Sequence, residues 1–432
     1  MVVIKKIFIY IFFFLFIFCK YSNASKILDY ETEIFLKSLI NEVAKANDIN
    51  RNIRFVVLAN NNVNAFVDQN SIIYITSGLI ENCNDYVALL TVIAHEIGHI
   101  DNNHIKQRKI GLEKINNINS ISNLSIIAGS LISKNPEMLQ SLALSSAATS
   151  DYFINFSKDQ EREADYYALN TLKELNLYST SIIDLLKTIE KKSLSKGITK
   201  DKLKISTHPY FEERIDIIKY LNEKNNSNFD FETNNKFKFI RAKFLGYSGN
   251  LEKIHELEDI YKRYATSILT AKNGDLKFSM EELNKLIKKY DKNIFLYETK
   301  ADILYSFGYI NESIRFYKKV IDKYNDNYYA QIRIFENTEI EKLTHYEAEK
   351  LFVENFNLIN NFYNNKNILL TYLRLSEYND KTEWINFLNY WINKDIDNSN
   401  IKENLSKFKK VEDKNLSKLI ELIYQNIIWL EP

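Results

Sequence analysis

The stretch from Val92 to Ile100 reads Val-Ile-Ala-His-Glu-Ile-Gly-His-Ile, with His95 and His99 four residues apart and Glu96 beside the first. On a helix, positions i and i+4 share a face. Both imidazoles can therefore reach one metal ion, and the adjacent carboxylate can handle a water molecule. This is the residue set of zinc-dependent hydrolysis. A catalytic zinc takes three protein ligands and keeps one position open, so a third ligand must come from outside this helix.

A second helix opens at Asp159-Gln160-Glu161-Arg162-Glu163-Ala164-Asp165 and offers three carboxylates. Glu161 and Asp165 are four apart and share a face, whereas Glu163 lies about 200° round the helix from Glu161. If Glu161 is the ligand, Asp165 sits one turn along the same face. There it can accept a hydrogen bond from the free ring nitrogen of a zinc histidine. Glu163 is then a solvent or salt-bridge residue, facing Arg162 or a neighbouring helix. Zinc bound in this way lowers the pKa of water toward about 7. Glu96 is placed to take a proton from the attacking water and return it to a leaving amine.

These groups need a scaffold. Ile34, Leu36, Leu39, Ile40 and Val43 recur at helical spacing within Ile27 to Ile49. Ile53 to Leu58 reads as a strand. Asn64-Ala65-Phe66-Val67, a turn over Asp68 to Ser71, and Ile72 to Thr76 read as a hairpin that ends at Gly78. In zinc peptidases an edge strand beside the metal helix pairs with extended substrate, which makes Asn64, Ala65 and Phe66 a candidate substrate strand; a purely structural hairpin matches the pattern equally well. Asp85 is the expected N-cap of a motif helix running from Tyr86 to near Lys109. Gly98 inside it costs about 1 kcal/mol relative to Ala, so another segment is expected to approach closely there. His104, five residues past His99, points away from the metal face of a continuous helix and reads as a packing or hydrogen-bonding histidine. Leu124 to Ile132 and Leu142 to Ala148 are apolar runs separated by Lys134-Asn135-Pro136. Each is too short to span a bilayer; they read as helices near the site, or as a membrane-touching hairpin.

The chain has 432 residues, 45% of them apolar, with only 9 Gly and 3 Pro. This composition favours a mainly α protein with a small β-sheet, built from more than one domain. A net charge of +1 excludes a nucleic-acid partner held by bulk charge. Lys5 and Lys6, the apolar run Ile7 to Phe18 and Ser22-Asn23-Ala24 read as a signal peptide over residues 1–24 cleaved after Ala24. That cleavage leaves Cys83 as the only cysteine and directs the chain out of the cytoplasm. Residues 25–221 form the expected metallopeptidase domain, and the Asn- and Ser-rich residues 222–235 a linker. Residues 236–432 are helical in pattern. Within them Ile268–Asn293 and Asp302–Asn327 align at an offset of 34 residues, with Gly274 matching Gly308 and Ser279 matching Ser313. That period and those small residues suit tetratricopeptide-like repeats forming an α-solenoid.

Taken together, His95-Glu96-Ile97-Gly98-His99, Glu161-Arg162-Glu163-Ala164-Asp165 and Ser206-Thr207-His208-Pro209 with Arg214 resemble the metallopeptidase family of the CaaX prenyl protease, HtpX and Oma. Asn64-Ala65-Phe66 and Thr76-Ser77-Gly78-Leu79-Ile80 are similar to it as well. The signal peptide and the repeats look most like its periplasmic, repeat-bearing members. The resemblance implies an α+β zincin-type domain of the gluzincin class, one zinc per chain held by His95, His99 and Glu161, and Glu96 as the base. It also implies that His208, on a His-Pro loop, can take the fourth zinc position and hold the enzyme off. The expected substrates are unfolded or misassembled envelope proteins, with outer-membrane assembly machinery as a docking partner through the repeats, peripheral membrane contact and no nucleic acid. The turn at Asp68 to Ser71 departs from the Gly-rich turn usual in that family.

Overall fold

Asp29 precedes the first amphipathic stretch and accepts a hydrogen bond from the Thr32 amide at 2.9 Å, so helix α1 begins at Tyr30 and runs Tyr30–Ala46. The fold comes from a computed structural model that describes residues 26–107, 158–177, 180–195, 215, 219, 228–393, 401–408 and 410–428. The chain forms two compact units that divide after Ala265. In the first, α1 buries Phe35, Leu36, Leu39, Ile40 and Val43. Three short strands follow: β1 Arg54–Leu58, β2 Ala65–Val67 and β3 Ile72–Thr76. Their order is β1-β3-β2, with β1 parallel and β2 antiparallel to β3.

The hairpin turn works without glycine. The Asp68 carboxylate accepts from the amides of Asn70 and Ile72 at 2.9 Å each, and Ser71 takes the left-handed conformation at φ 57°. Glycine is needed instead at Gly78, in the short helix α2 Ser77–Asn82. A Cβ there would stand 2.4 Å from the Asn62 carbonyl oxygen.

Asp85 caps helix α3, Tyr86–Asp101, by accepting from the Ala88 amide at 2.8 Å. Its interior is apolar on nearly every face, as in a helix surrounded by the core. It packs against α1, against β2, and against α4 Lys158–Glu174 and α5 Ser181–Ser195. The helix is shorter than its sequence pattern suggested. Asn102 caps it by donating to the Gly98 carbonyl, and Asn103 turns left-handed at φ 57° before residues 104–107 resume helical structure. Asn is the residue that most readily follows glycine into that conformation.

Helix α6, Phe231–Ser248, belongs to this first unit. Phe237, Ile240 and Phe244 enter its core, and Arg241 donates to the Glu81 carbonyl at 3.0 Å. The buried Lys243 ammonium lies 2.7 Å from Asp29 and 2.6 Å from Glu31. Asn228 and Asp230, at the end of the expected linker, donate their amides to Asn176 and to the Tyr86 hydroxyl. The division between units thus falls thirty residues beyond the linker inferred at 222–235 (265 against 235). Burial pushes the Cys83 thiol up, which keeps it protonated and inert.

Helices α7 Leu251–Glu256 and α8 Asp259–Lys272 lead to α9 Leu276–Lys289, α10 Phe295–Ser306, α11 Ile310–Lys323 and α12 Tyr328–Glu336. Gly274 between α8 and α9 and Gly308 between α10 and α11 both sit at positive φ, 96° and 83°. The 34-residue offset therefore recurs as the same turn between successive helices. Further helices continue to Lys414–Ile428 around Trp384, Phe387, Trp391 and Tyr372. Among the described residues, no helix is long and apolar enough to cross a membrane.

Candidate metal centre

Helix α3 presents His95 and His99 from successive turns, and α4 brings Glu161 against them. The two helices touch at Gly98, where a Cβ would meet Tyr167 Cβ at 3.0 Å and Ala164 Cα at 3.2 Å. This is the close approach that a mid-helix glycine suggested.

Three polar atoms converge. His95 Nε2 is 3.1 Å from His99 Nε2, and Glu161 places Oε2 3.6 Å from His95 Nε2 and Oε1 3.5 Å from His99 Nε2. All three residues are buried. Tetrahedral zinc with bonds of about 2.0–2.1 Å spaces its ligands roughly 3.3–3.4 Å apart. The observed edges bracket that value. Two imidazole nitrogens facing each other at 3.1 Å repel unless a cation or a proton lies between them. The set of two neutral nitrogens and one carboxylate matches the preference of zinc, so these residues can hold a divalent cation.

The far side of each ring sets its tautomer. His95 Nδ1 lies 2.9 Å from Asp165 Oδ1, so His95 carries its hydrogen on Nδ1 and turns the Nε2 lone pair toward Glu161 and His99. Asp165 is one turn beyond Glu161 on α4, as the i, i+4 spacing requires. His99 Nδ1 lies 3.0 Å from His104 Nδ1, and His104 Nε2 lies 2.9 Å from Glu163 Oε2. His104 therefore faces His99, whereas a continuous α3 would turn it away. Glu163 reaches His104 and not Arg162, which pairs with Asp159. The Asp101-Asn102-Asn103 run was the sequence signal for the helix stop that makes both contacts possible. Glu96, beside His95 in α3, is 1% exposed.

Of the candidate substrate strand, Ala65 and Phe66 lie in β2, at one end of the strand order, and Asn64 precedes it. Among the described residues no strand pairs with the outer side of β2. Phe66 stacks on Tyr74 with ring centroids 5.0 Å apart. His208, Pro209 and Arg214 lie outside the described residues, as do the apolar runs Leu124 to Ile132 and Leu142 to Ala148 and the whole of residues 1–24.

A zincin-like helix pair carrying His-Glu-x-x-His and a buried carboxylate defines a metallopeptidase site, and residues 32–222 match the family model described as peptidase family M48. That match covers less than half of the chain and makes the segment similar to M48 metallopeptidases. More narrowly, it is similar to beta-barrel assembly-enhancing proteases. It is 22% identical over 173 residues to the protein of that name from Yersinia pestis, and 26% identical over 176 residues to one provisionally given the name in Vibrio cholerae. Each alignment covers 40% of this chain and 35% of the relative, so the chain matches about a third of either relative's length.

Proposed function

We propose that this chain is a zinc-dependent endopeptidase of the cell envelope that degrades misfolded or stalled outer-membrane proteins. The convergence of His95, His99 and Glu161, whose facing atoms lie 3.1–3.6 Å apart in the interior of a segment that matches the M48 family, carries the reading. Zinc, when bound, supplies the Lewis acid. Glu96 holds the proton taken from water and passes it to the leaving amine. Asp165 keeps His95 in the tautomer that offers Nε2. The outer side of β2 pairs with an extended segment of substrate, which suits chains that have lost their own fold.

The names of the relatives and the reading of residues 1–24 as a signal peptide support a periplasmic site, with the helical unit acting as a tetratricopeptide-like docking surface for substrate or assembly machinery. His208 serves as a regulatory fourth ligand. The relatives' name, which speaks of assembly, supports a second reading in which the helical unit acts as a chaperone and proteolysis is normally gated. Purified chain is expected to bind one zinc and to cleave casein, with Glu96→Gln inactive. Less than one zinc per several chains, with no cleavage, overturns the assignment. Full rescue of a deletion strain by Glu96→Gln under envelope stress would favour the chaperone reading. His208→Ala is expected to raise proteolysis of an unfolded substrate.

A further inference from the structure

His95 and His99 are oriented by different devices. His95 donates directly to a carboxylate, Asp165, on the same helix that supplies the third ligand. His99 turns its Nδ1 to a second imidazole, that of His104, which in turn reaches the Glu163 carboxylate. We propose that His104 and Glu163 are positioning residues for His99, forming a histidine–carboxylate relay that fixes which nitrogen His99 turns to the metal. The proposal rests on the zinc reading given above.

The argument follows from hydrogen positions. For Nε2 of His99 to offer a lone pair beside His95 and Glu161, its hydrogen must be on Nδ1. His104 Nδ1, 3.0 Å away, can accept that hydrogen only if its own hydrogen is on Nε2. Glu163 Oε2, 2.9 Å from His104 Nε2, accepts there and selects that tautomer. Without Glu163, His104 can place its hydrogen on Nδ1. Two N–H groups would then confront each other inside the protein, where His99 and His104 are both 0% exposed. The relay ends at the surface, since the Glu163 side chain is 61% exposed.

The backbone is arranged to allow this. On an uninterrupted helix His104 would be rotated about 140° from His99. The stop at Asp101 and the left-handed Asn103 bring the ring back toward His99. Helix α4 then serves both histidines with alternate sides, Glu161 toward the Nε2 atoms and Glu163 toward His104. A histidine that merely tied residues 104–107 to α4 would not need its second nitrogen against His99.

Zinc affinity of the purified full chain, measured by competition with a chromophoric chelator, tests the relay. Glu163→Ala is expected to weaken zinc binding about 10- to 100-fold. Glu163→Gln, which keeps an acceptor oxygen for His104, recovers most of that loss. His104→Ala weakens binding to a similar degree, and adding Glu163→Ala to it costs nothing further, because Glu163 acts only through His104. Unfolding midpoints of the metal-free variants separate this from loss of fold, which the exposed Glu163 does not threaten. A zinc-binding parent whose Glu163→Ala variant stays within twofold overturns the relay alone, as does a double variant whose loss is the product of the single losses. A parent that binds no zinc overturns the zinc reading and the relay with it.

Discussion

In the unit built around α3, the buried polar atoms of His95, His99 and Glu161 turn toward one another at 3.1–3.6 Å. In the helical unit, Asp302 on α10 accepts from the hydroxyls of Tyr317 at 2.6 Å and Tyr329 at 2.7 Å, and Asn327 donates to Glu298 at 2.6 Å. Both units bury polar groups, but this network in the second pairs donor with acceptor, whereas the His95–His99–Glu161 cluster in the first gathers acceptors. Burial and the Asp302 carboxylate together push the Tyr317 and Tyr329 hydroxyls upward, so both stay protonated as donors. That network needs nothing added to it. A cluster of lone pairs in a low-dielectric interior needs a proton or a metal cation among them. The contrast separates polar burial that serves packing from polar burial that serves chemistry.

The first unit also contains a structural example, the Lys243 triad, so the comparison can be broken within one unit as well as across two. Glu96→Gln is expected to lower kcat/KM for peptide cleavage about 10²- to 10⁴-fold, with zinc stoichiometry and melting temperature unchanged; a stability loss as large as that in packing variants would erase the distinction. Lys243→Met leaves the buried Glu31 and the partly buried Asp29 without their cation and is expected to cost about 3–5 kcal/mol of unfolding free energy in urea. Asp165→Asn should weaken zinc binding about 10- to 100-fold in chelator competition while the metal-free fold keeps its midpoint. Tyr317→Phe, removing one of two donors to Asp302, should cost about 1–3 kcal/mol of stability and leave zinc affinity alone.

The smallest effect is a pH dependence. Burial raises Asp29, but the Lys243 charge and hydrogen bonds from Lys243 and Thr32 outweigh it and hold the carboxyl below its ordinary 3.8. Its contribution is present above that value and fades as pH falls through the lowered pKa. Burial dominates at Glu31 and raises it above 4.5, with Lys243 opposing and Asp29 adding. The folded state therefore favours protonated Glu31, a contribution present below 4.5 and lost as pH rises. Glu31→Gln is expected to raise stability at neutral pH relative to the parent and to change little near pH 3, as read from urea midpoints across that range.

Residues close in sequence made much of this legible. The i, i+4 pairs His95/His99 and Glu161/Asp165, the caps at Asp29 and Asp85, the hairpin and the tight approach at Gly98 all rest on helix or strand geometry that repeats within a few residues. Helix α6 was harder to place. Phe237, Ile240 and Phe244 show the same period whether a helix packs on a catalytic core or on a repeat, and nothing local to Lys243 announces that its partners are Asp29 and Glu31.

The sequence by itself determined which side chains could share a metal, since helical periodicity converts spacing into direction. Only the tertiary structure decided where those directions end. One left-handed residue, Asn103, reverses the aim of His104, and the packing of α4 across Gly98 gives Glu163 a histidine to orient. A backbone dihedral outside the helical region resets the phase that periodicity counts on, and contacts some sixty residues apart carry no period at all.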